Sequence, residues 1–451
     1  MSVAAPRPGT AEFWCERAWL PGGVAERVSV GCDDTGVITS VAPGVDPAPG
    51  MSRLSGVVFP GFANGHSHAF HRGLRGRTHA GGGTFWTWRE AMYRLAGRLD
   101  PDTYHRLAGL VYAEMALAGF VVVGEFHYLH HPPGGGRYAD PNAMGEALLA
   151  AAAHAGIRIT LLDTCYLAGG LDGSGYQPLS GPQVRFGDGD MAGWAARWSA
   201  LAERPGARVG AAVHSVRAVP AEALPGFAEA TRERPVHVHL SEQPAENEAC
   251  HAFHGCSPTE LLAGAGLLGP RTTAVHATHL SDKDIELLGA AGVTACFCPT
   301  TEADLADGIG PARELADAGC PISLGSDQHA VIDPLAEARA LEHGERLRTG
   351  QRGRFSPGEL VAAATERGHR SLGWPDGGRI VVGAPCDLVA VRTDTARTAG
   401  ASADQLVLAG SAADVHCVVV GGRTVVSGGV HRSFGSVGAE LARVIEGLWS
   451  G

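Results

Sequence analysis

The sequence predicts an α/β fold: a (β/α)8 barrel accompanied by a small β-sandwich that the N- and C-terminal segments build together. Three observations predict it. Between about residue 57 and residue 350 one rhythm repeats: a short apolar or β-branched run, a polar loop, then a stretch of helical periodicity. The rhythm occurs eight times, and eight alternating units favour a closed parallel barrel over an open doubly wound sheet. The flanks instead carry Val-rich runs broken by Gly, Pro and Asp, such as Val28–Val30 and Val418–Val420, which suit β-hairpins. At 451 residues the chain is long enough for a barrel of about 250 to 320 residues and a satellite module.

Taken in order, the strand candidates are Val57–Phe59, Phe120–Glu125, Ile157–Asp163, Val209–His214, Val236–Leu240, Thr273–His276, Val293–Cys298 and Ile322–Gly325. Helix candidates between them include Asp102–Ala118, Asn142–Ala155, Asp282–Ala291 and Pro334–Thr349, with Pro or Asp near several starts as helix N-termini require. The chain therefore divides into a barrel over residues 58–374 and a discontinuous β-sandwich over residues 1–57 and 375–451.

Composition narrows the function. A hydrophobic fraction of 45% and a charged fraction of 18% belong to an ordered globular chain. The net charge of −11, without any block of like charges, argues against nucleic acid or an anionic membrane as partner. An anionic substrate would need local arginines to overcome that field. Of ten cysteines only Cys296 and Cys298 are close, a spacing unlike a zinc finger or a redox CxxC, so reduced thiols and core packing are expected. No charged and then apolar leader opens the sequence, and no run of about 18 apolar residues occurs, so a cytoplasmic protein is expected.

The chemistry gathers at strand ends. The first barrel strand runs into Gly65-His66-Ser-His68, and side chains at i and i+2 of a strand point to the same side. Alone, His-x-His is more often a surface pair than a metal site. Three later runs change that reading: the fifth ends in His237-Val-His239-Leu-Ser-Glu242, the sixth in His276-Ala-Thr-His279, the eighth in Gly325-Ser-Asp327-Gln-His329. In a barrel these C-terminal ends converge on one face. His66, His68, His239 and Asp327 would make a nitrogen and oxygen site suited to one Zn²⁺, with a position left for water; Fe²⁺ or another divalent ion fits the same donors. Such an ion lowers the pKa of water from 15.7 to roughly 7. Glu242 and His276 stand within reach as proton-handling groups. His237 should face away from His239, and His127, His130 and His131, beside the second strand, read as rim or supporting groups because the quartet is already full.

These motifs resemble the amidohydrolase superfamily, in particular its mononuclear deaminase branch, and within that branch the formimidoylglutamate deiminases of histidine degradation. The stretches that carry the likeness are Asn64–Phe70, Phe85–Glu90, Glu125–His131, His214–Arg217, His237–Gln243, Val275–His279, Cys298–Ala303 and Gly325–Asp327. The resemblance implies His66, His68, His239 and Asp327 as zinc ligands, Glu242, His276 and Asp327 as catalytic groups, and Arg89, Tyr128, His214 and Arg217 as the grip on two substrate carboxylates. A homodimer is also implied. Three positions depart from the family: His71 where glutamine is common, Gln328 where serine is, and Asp304 where asparagine is. His71 and Gln328 are expected to lie near the substrate.

The reaction so implied is hydrolysis of N-formimidoyl-L-glutamate to N-formyl-L-glutamate and ammonia. Arginine forks suit that substrate because they bind carboxylates bidentately and hold the reacting carbon in place. Two other readings stay open. A relative could deaminate a purine, pyrimidine or triazine ring with the same metal quartet but no use for two arginines; a non-catalytic barrel could have kept the fold and lost turnover.

Overall fold

The computed structural model describes residues 11–79, 83 and 85–450. The chain begins with four strands, β1 (Ala11–Leu20), β2 (Gly23–Cys32), β3 (Ile38–Ala42) and β4 (Ser52–Pro60). Next come β5 (Phe62–Ser67), β6 (Phe120–His127) and β7 (Arg158–Cys165), then a short hairpin of β8 (Gly170–Asp172) and β9 (Gly175–Gln177). Five further strands follow: β10 (Ala207–Val213), β11 (Val236–Leu240), β12 (Thr272–His276), β13 (Thr294–Phe297) and β14 (Ile322–Leu324). The last four are β15 (Leu388–Val391), β16 (Val415–Val420), β17 (Arg423–Ser427) and β18 (Val430–His431).

Strands β5, β6, β7 and β10 to β14 pair in that order, all parallel, and helices run between them, which is the (β/α)8 barrel. The remaining strands from both ends of the chain join in one sheet of order β18-β17-β16-β15-β4-β1-β2-β3, antiparallel except for β1 with β4. Alternation explains how this sheet is anchored. Val57, Phe59, Val389, Val391 and Val418 point into the main core, while Val58, Leu388, Ala390 and Val419 face a second core with Phe13, Val28, Val30 and Ile38.

Val57–Phe59 corrects the sequence reading. It lies in β4, at the centre of the end sheet, and the first barrel strand is Phe62–Ser67. A central strand buried on both faces is as uniformly apolar as a barrel strand, so composition could not separate the two. The chain changes sheets at Gly61, where a Cβ would come within 2.8 Å of both Val121 and Asp387 side-chain atoms.

Three of the expected helices carry side-chain caps, and Asn142 ahead of Ala143–Ala155 makes no side-chain capping bond. Asp100 caps Pro101–Ala118 through a capping box with Thr103, Asn142 is the N-cap residue of Ala143–Ala155, and Ser281 caps Asp282–Ala291. Asp333 accepts the Leu335 and Ala336 N–H groups ahead of Pro334–Thr349. A final helix, Val437–Ser450, packs on Pro101–Ala118 and was not foreseen from the sequence. All ten cysteines are free thiols, and Cys296 and Cys298 pack with Val275 in the interior. Among the described residues no helix is long and apolar enough to cross a membrane.

Candidate active site

Parallel strands bring their C-terminal ends to one face, and four of them deliver the metal-type side chains there. His66 and His239 are the penultimate residues of β5 and β11, His276 closes β12, and Asp327 follows β14. Strand alternation sends His237 the other way, where its ring meets the Ser371 carbonyl at 3.2 Å.

The seam between β5 and β14 lies in the same place. The two strands share no regular ladder; Ser67 and Asp327 form a single bridge. Ser326 and Asp327 N–H donate to the His66 carbonyl at 3.1 and 3.0 Å, and His68 N–H donates to the Asp327 carbonyl at 3.1 Å. Gly325 permits this approach, because a Cβ there would lie 2.8 Å from the His66 backbone nitrogen. Asp327 adopts φ of 42°, a left-handed conformation that non-glycine residues hold only where surroundings enforce it. Behind the seam Glu125 accepts the Ser67 hydroxyl and the Ala69 N–H, both at 2.7 Å, and His329 links Ser67 to Ser326, which also bonds Asn64.

The donors form two overlapping groups that share His66, one with His68 and Asp327 and one with His239 and His276, and each is compact enough to hold a divalent ion. His66 Nε2 and His68 Nε2 each lie 3.4 Å from Asp327 Oδ1, and His239 Nε2 lies 3.1 Å from His66 Nε2. Tetrahedral ligands about 2.0–2.2 Å from a zinc ion are separated by about 3.3–3.6 Å. The Phe126 carbonyl holds His68 Nδ1 at 2.8 Å, aiming the other nitrogen inward, and the Phe126 ring stacks on His239. Burial pushes His66 down to about 3 and His68 to about 4, and depresses His239 strongly. Although burial opposes its charge, Asp327 is held below the usual carboxylate range by His66 and His68. Neutral imidazoles around an ionised carboxylate are the protonation states that metal binding requires.

Next to this quartet stand the proton-handling groups. His276 Nε2 is 3.7 Å from Glu242 and its Nδ1 is 3.3 Å from Glu302, whose carboxylate also accepts the Cys298 N–H at 2.8 Å. Burial disfavours the His276 charge, but Glu242, Glu302 and Asp327 outweigh it and raise the imidazolium well above its ordinary range. Burial raises Asp307, with Glu242 adding to the effect. Glu302 and Asp307 were not singled out from the sequence. Glu302 lies within the Cys298–Ala303 stretch, and its helical spacing from Cys298 was the available signal.

A cavity of ≈ 230 Å³ opens over the quartet. His68, His239, His276, Asp327 and Glu242 line it, together with Arg89, Arg217, His214, Tyr128, His71, Tyr93 and Tyr166 among others. Arg89 lies over the Tyr93 ring at 5.5 Å. Arg217 donates from Nε to Glu246 at 2.9 Å. His214 is kept neutral by burial and by Arg217. Tyr128 bonds His71 Nε2 at 2.9 Å. Gln328 is the exception: its amide donates to Asp304 at 2.8 Å, a carboxylate that also meets His79, and it is not among the cavity-lining residues. The two family departures Gln328 and Asp304 therefore pair with each other.

His127 and His130 group with Asp163 on the outer face of the barrel, not around the quartet. Asp163 is already held by Arg197 at 2.6 and 2.9 Å and by Trp194 at 3.0 Å, and Arg197 also grips Asp188, which meets His131 at 2.9 Å. A guanidinium on the carboxylate makes this a closed ion-pair network that ties β7 to the helix Met191–Trp198.

Residues 57–425 match the sequence model of the amidohydrolase family. The chain is 37% identical to the formimidoylglutamate deiminase of Pseudomonas aeruginosa over 436 residues, covering 93% of this chain and 95% of that one. It superposes on an amidohydrolase from Brucella melitensis with a TM-score of 0.89, at 34% identity, over 97% and 99% of the two chains. An adenosine deaminase from Xanthomonas campestris with bound zinc gives a TM-score of 0.84 at 22% identity, over 98% and 99%.

Proposed function

Because this chain belongs to the amidohydrolase family, we propose that it hydrolyses N-formimidoyl-L-glutamate to N-formyl-L-glutamate and ammonia. The observation that carries this reading is the cavity itself, in which three of the metal-type donors, His68, His239 and Asp327, and two arginines line one small volume. The 37% identity to a formimidoylglutamate deiminase supports the same substrate. His66, His68, His239 and Asp327 would hold a zinc ion, the metal found in the Xanthomonas relative. When bound, it makes a water nucleophilic at neutral pH and polarises the reacting carbon.

The rest falls to the chain's own side chains. Arg89 and Arg217 grip the two carboxylates, with His214 and Tyr128 beside them, so that the formimidoyl carbon lies over the quartet. Glu242 takes a proton from the attacking water and relays it to the departing nitrogen, which leaves as ammonia. His276, kept charged by Glu242 and Glu302, donates a hydrogen bond to the oxygen that gains charge as the tetrahedral carbon forms. An acidic protein can then take a dianion, because Arg89 and Arg217 line the cavity and meet the two carboxylates directly.

The test is ammonia release by zinc-loaded protein from N-formimidoyl-L-glutamate, N-formimidoyl-L-aspartate, guanine and cytosine, with Asp327→Asn as the inactive control. Selective turnover of the glutamate derivative supports the reading; turnover only of a ring overturns the substrate and leaves the metal chemistry.

A further inference from the structure

Glu246 is fully buried, yet it is neither a metal-type donor nor a cavity-lining residue. It sits in the first turn of the helix Pro244–His254, four residues after Glu242. Its two oxygens reach different parts of the site. Oε1 accepts the Ser241 N–H at 3.2 Å, immediately before Glu242, at a residue whose φ is 50°. Oε2 accepts Arg217 Nε at 2.9 Å. Arg217 Nη2 stands 3.7 Å from Glu242 Oε2, too far for a hydrogen bond and close enough that a small rotation would make one.

We infer that Glu246 is a positioning residue that holds Arg217 open for the substrate carboxylate and off Glu242. The inference rests on the substrate reading above. By occupying Nε, Glu246 leaves the two terminal nitrogens of Arg217 without a short hydrogen bond, Nη2 standing 3.7 Å from Glu242. By bonding Ser241, the same carboxylate fixes the backbone that carries Glu242. Without its charge, the nearest anion to Arg217 is Glu242, and their closure would block the carboxylate site and engage the proton donor together.

Glu246→Gln keeps the volume and an acceptor for Ser241 while removing the charge. We expect KM for N-formimidoyl-L-glutamate to rise about tenfold or more, and kcat to fall severalfold. The double variant Glu246→Gln with Arg217→Met should show a higher kcat than Glu246→Gln alone, since no guanidinium remains to capture Glu242, while KM stays high. N-formimidoylglycine and N-formimidoyl-4-aminobutyrate each keep one carboxylate, so the Glu246→Gln penalty should fall mainly on one of them. Loss of folding stability alone would burden both equally. Should Glu246→Gln fail to fold, Glu246→Asp, which keeps the charge but shortens the reach, should show the same directions at smaller size. An unchanged KM, equal penalties on the two analogues, or no recovery of kcat in the double variant overturns the inference. If the wild-type protein turns over none of the three carboxylated amidines, the substrate reading itself falls and takes this inference with it.

Discussion

Replacing Arg217 by methionine separates recognition from metal chemistry. Methionine keeps much of the aliphatic bulk and removes the fork. A charge-assisted hydrogen bond to a carboxylate contributes about 1.5–3 kcal/mol, which corresponds to a KM higher by a factor of about 10 to 150. Arg217 contacts Glu246 and Glu242 and none of the four metal-type donors, so zinc content should not change. The substitution also strips Glu246 of its cation. Burial already raises that carboxyl, and it should take up a proton in place of Arg217, limiting the loss of fold stability. Steady-state ammonia release, elemental analysis and urea unfolding measure the three quantities. Arg217→Lys, which keeps the charge without the fork, should fall between wild type and Arg217→Met. A KM within twofold of wild type, or loss of zinc in step with activity, would refute the assigned role.

Two further predictions concern the quartet and the seam behind it. Asp327→Asn replaces the one anionic donor by a neutral one, so activity should drop by about a thousandfold or more and zinc should be released to a chelator more readily; retained turnover counts against Asp327. Glu125 is fully buried, and burial pushes its carboxyl up to about 7 from an ordinary 4.5, against the N–H of Ala69 and the Ser67 hydroxyl. The folded chain thus holds this proton more tightly than the unfolded chain, and the group costs stability as pH rises from 4.5 through 7. The unfolding free energy of wild type relative to Glu125→Gln should therefore fall by up to about 3 kcal/mol between pH 5 and pH 8, and a flat difference across that range would show that Glu125 ionises freely.

Much of this architecture was legible because barrel strands announce themselves as short apolar runs, and because catalytic barrels place function where those runs end. The strand Val236–Leu240 has the bounds its apolar run predicts, and the strand ends bring His66 beside His68 and Asp327 and also beside His239. The misplaced first strand shows the limit of that logic, since β4 is buried on both faces for a different reason. Glu246 and Glu302 were missed because a buried carboxylate on a helix looks like any surface glutamate until its partner is known. The partners, Arg217 and His276, are 29 and 26 residues away in sequence. The sequence reads His127, His130 and His131 as rim or supporting groups of the site, whereas they gather with Asp163 and Asp188 around Arg197. That outcome turned on Arg197 reaching across from another helix, which no local pattern records.

The position of the seam gives the metal a structural consequence. A closed barrel needs its first and last strands joined, yet here the backbone beyond β5 and β14 is joined, among the described residues, by three hydrogen bonds around the Ser67–Asp327 bridge and not by a regular ladder. Those bonds belong to His66, His68, Ser326 and Asp327, the donors themselves or their neighbours. An ion held by His66 and His68 from one side and by Asp327 from the other would add its ligation to the backbone bonds that already join the seam. Ligand binding to the native state adds stability by mass action, about 2.7 kcal/mol at a free concentration of 100 Kd. Chelation should therefore speed hydrogen exchange at the His68, Ser326 and Asp327 amides, while amides in the β6–β7 ladder keep their protection because that pairing does not depend on the seam. Uniform acceleration across the barrel would mean the ion stabilises the fold globally, and no change at the seam amides would mean that the backbone closes the barrel unaided.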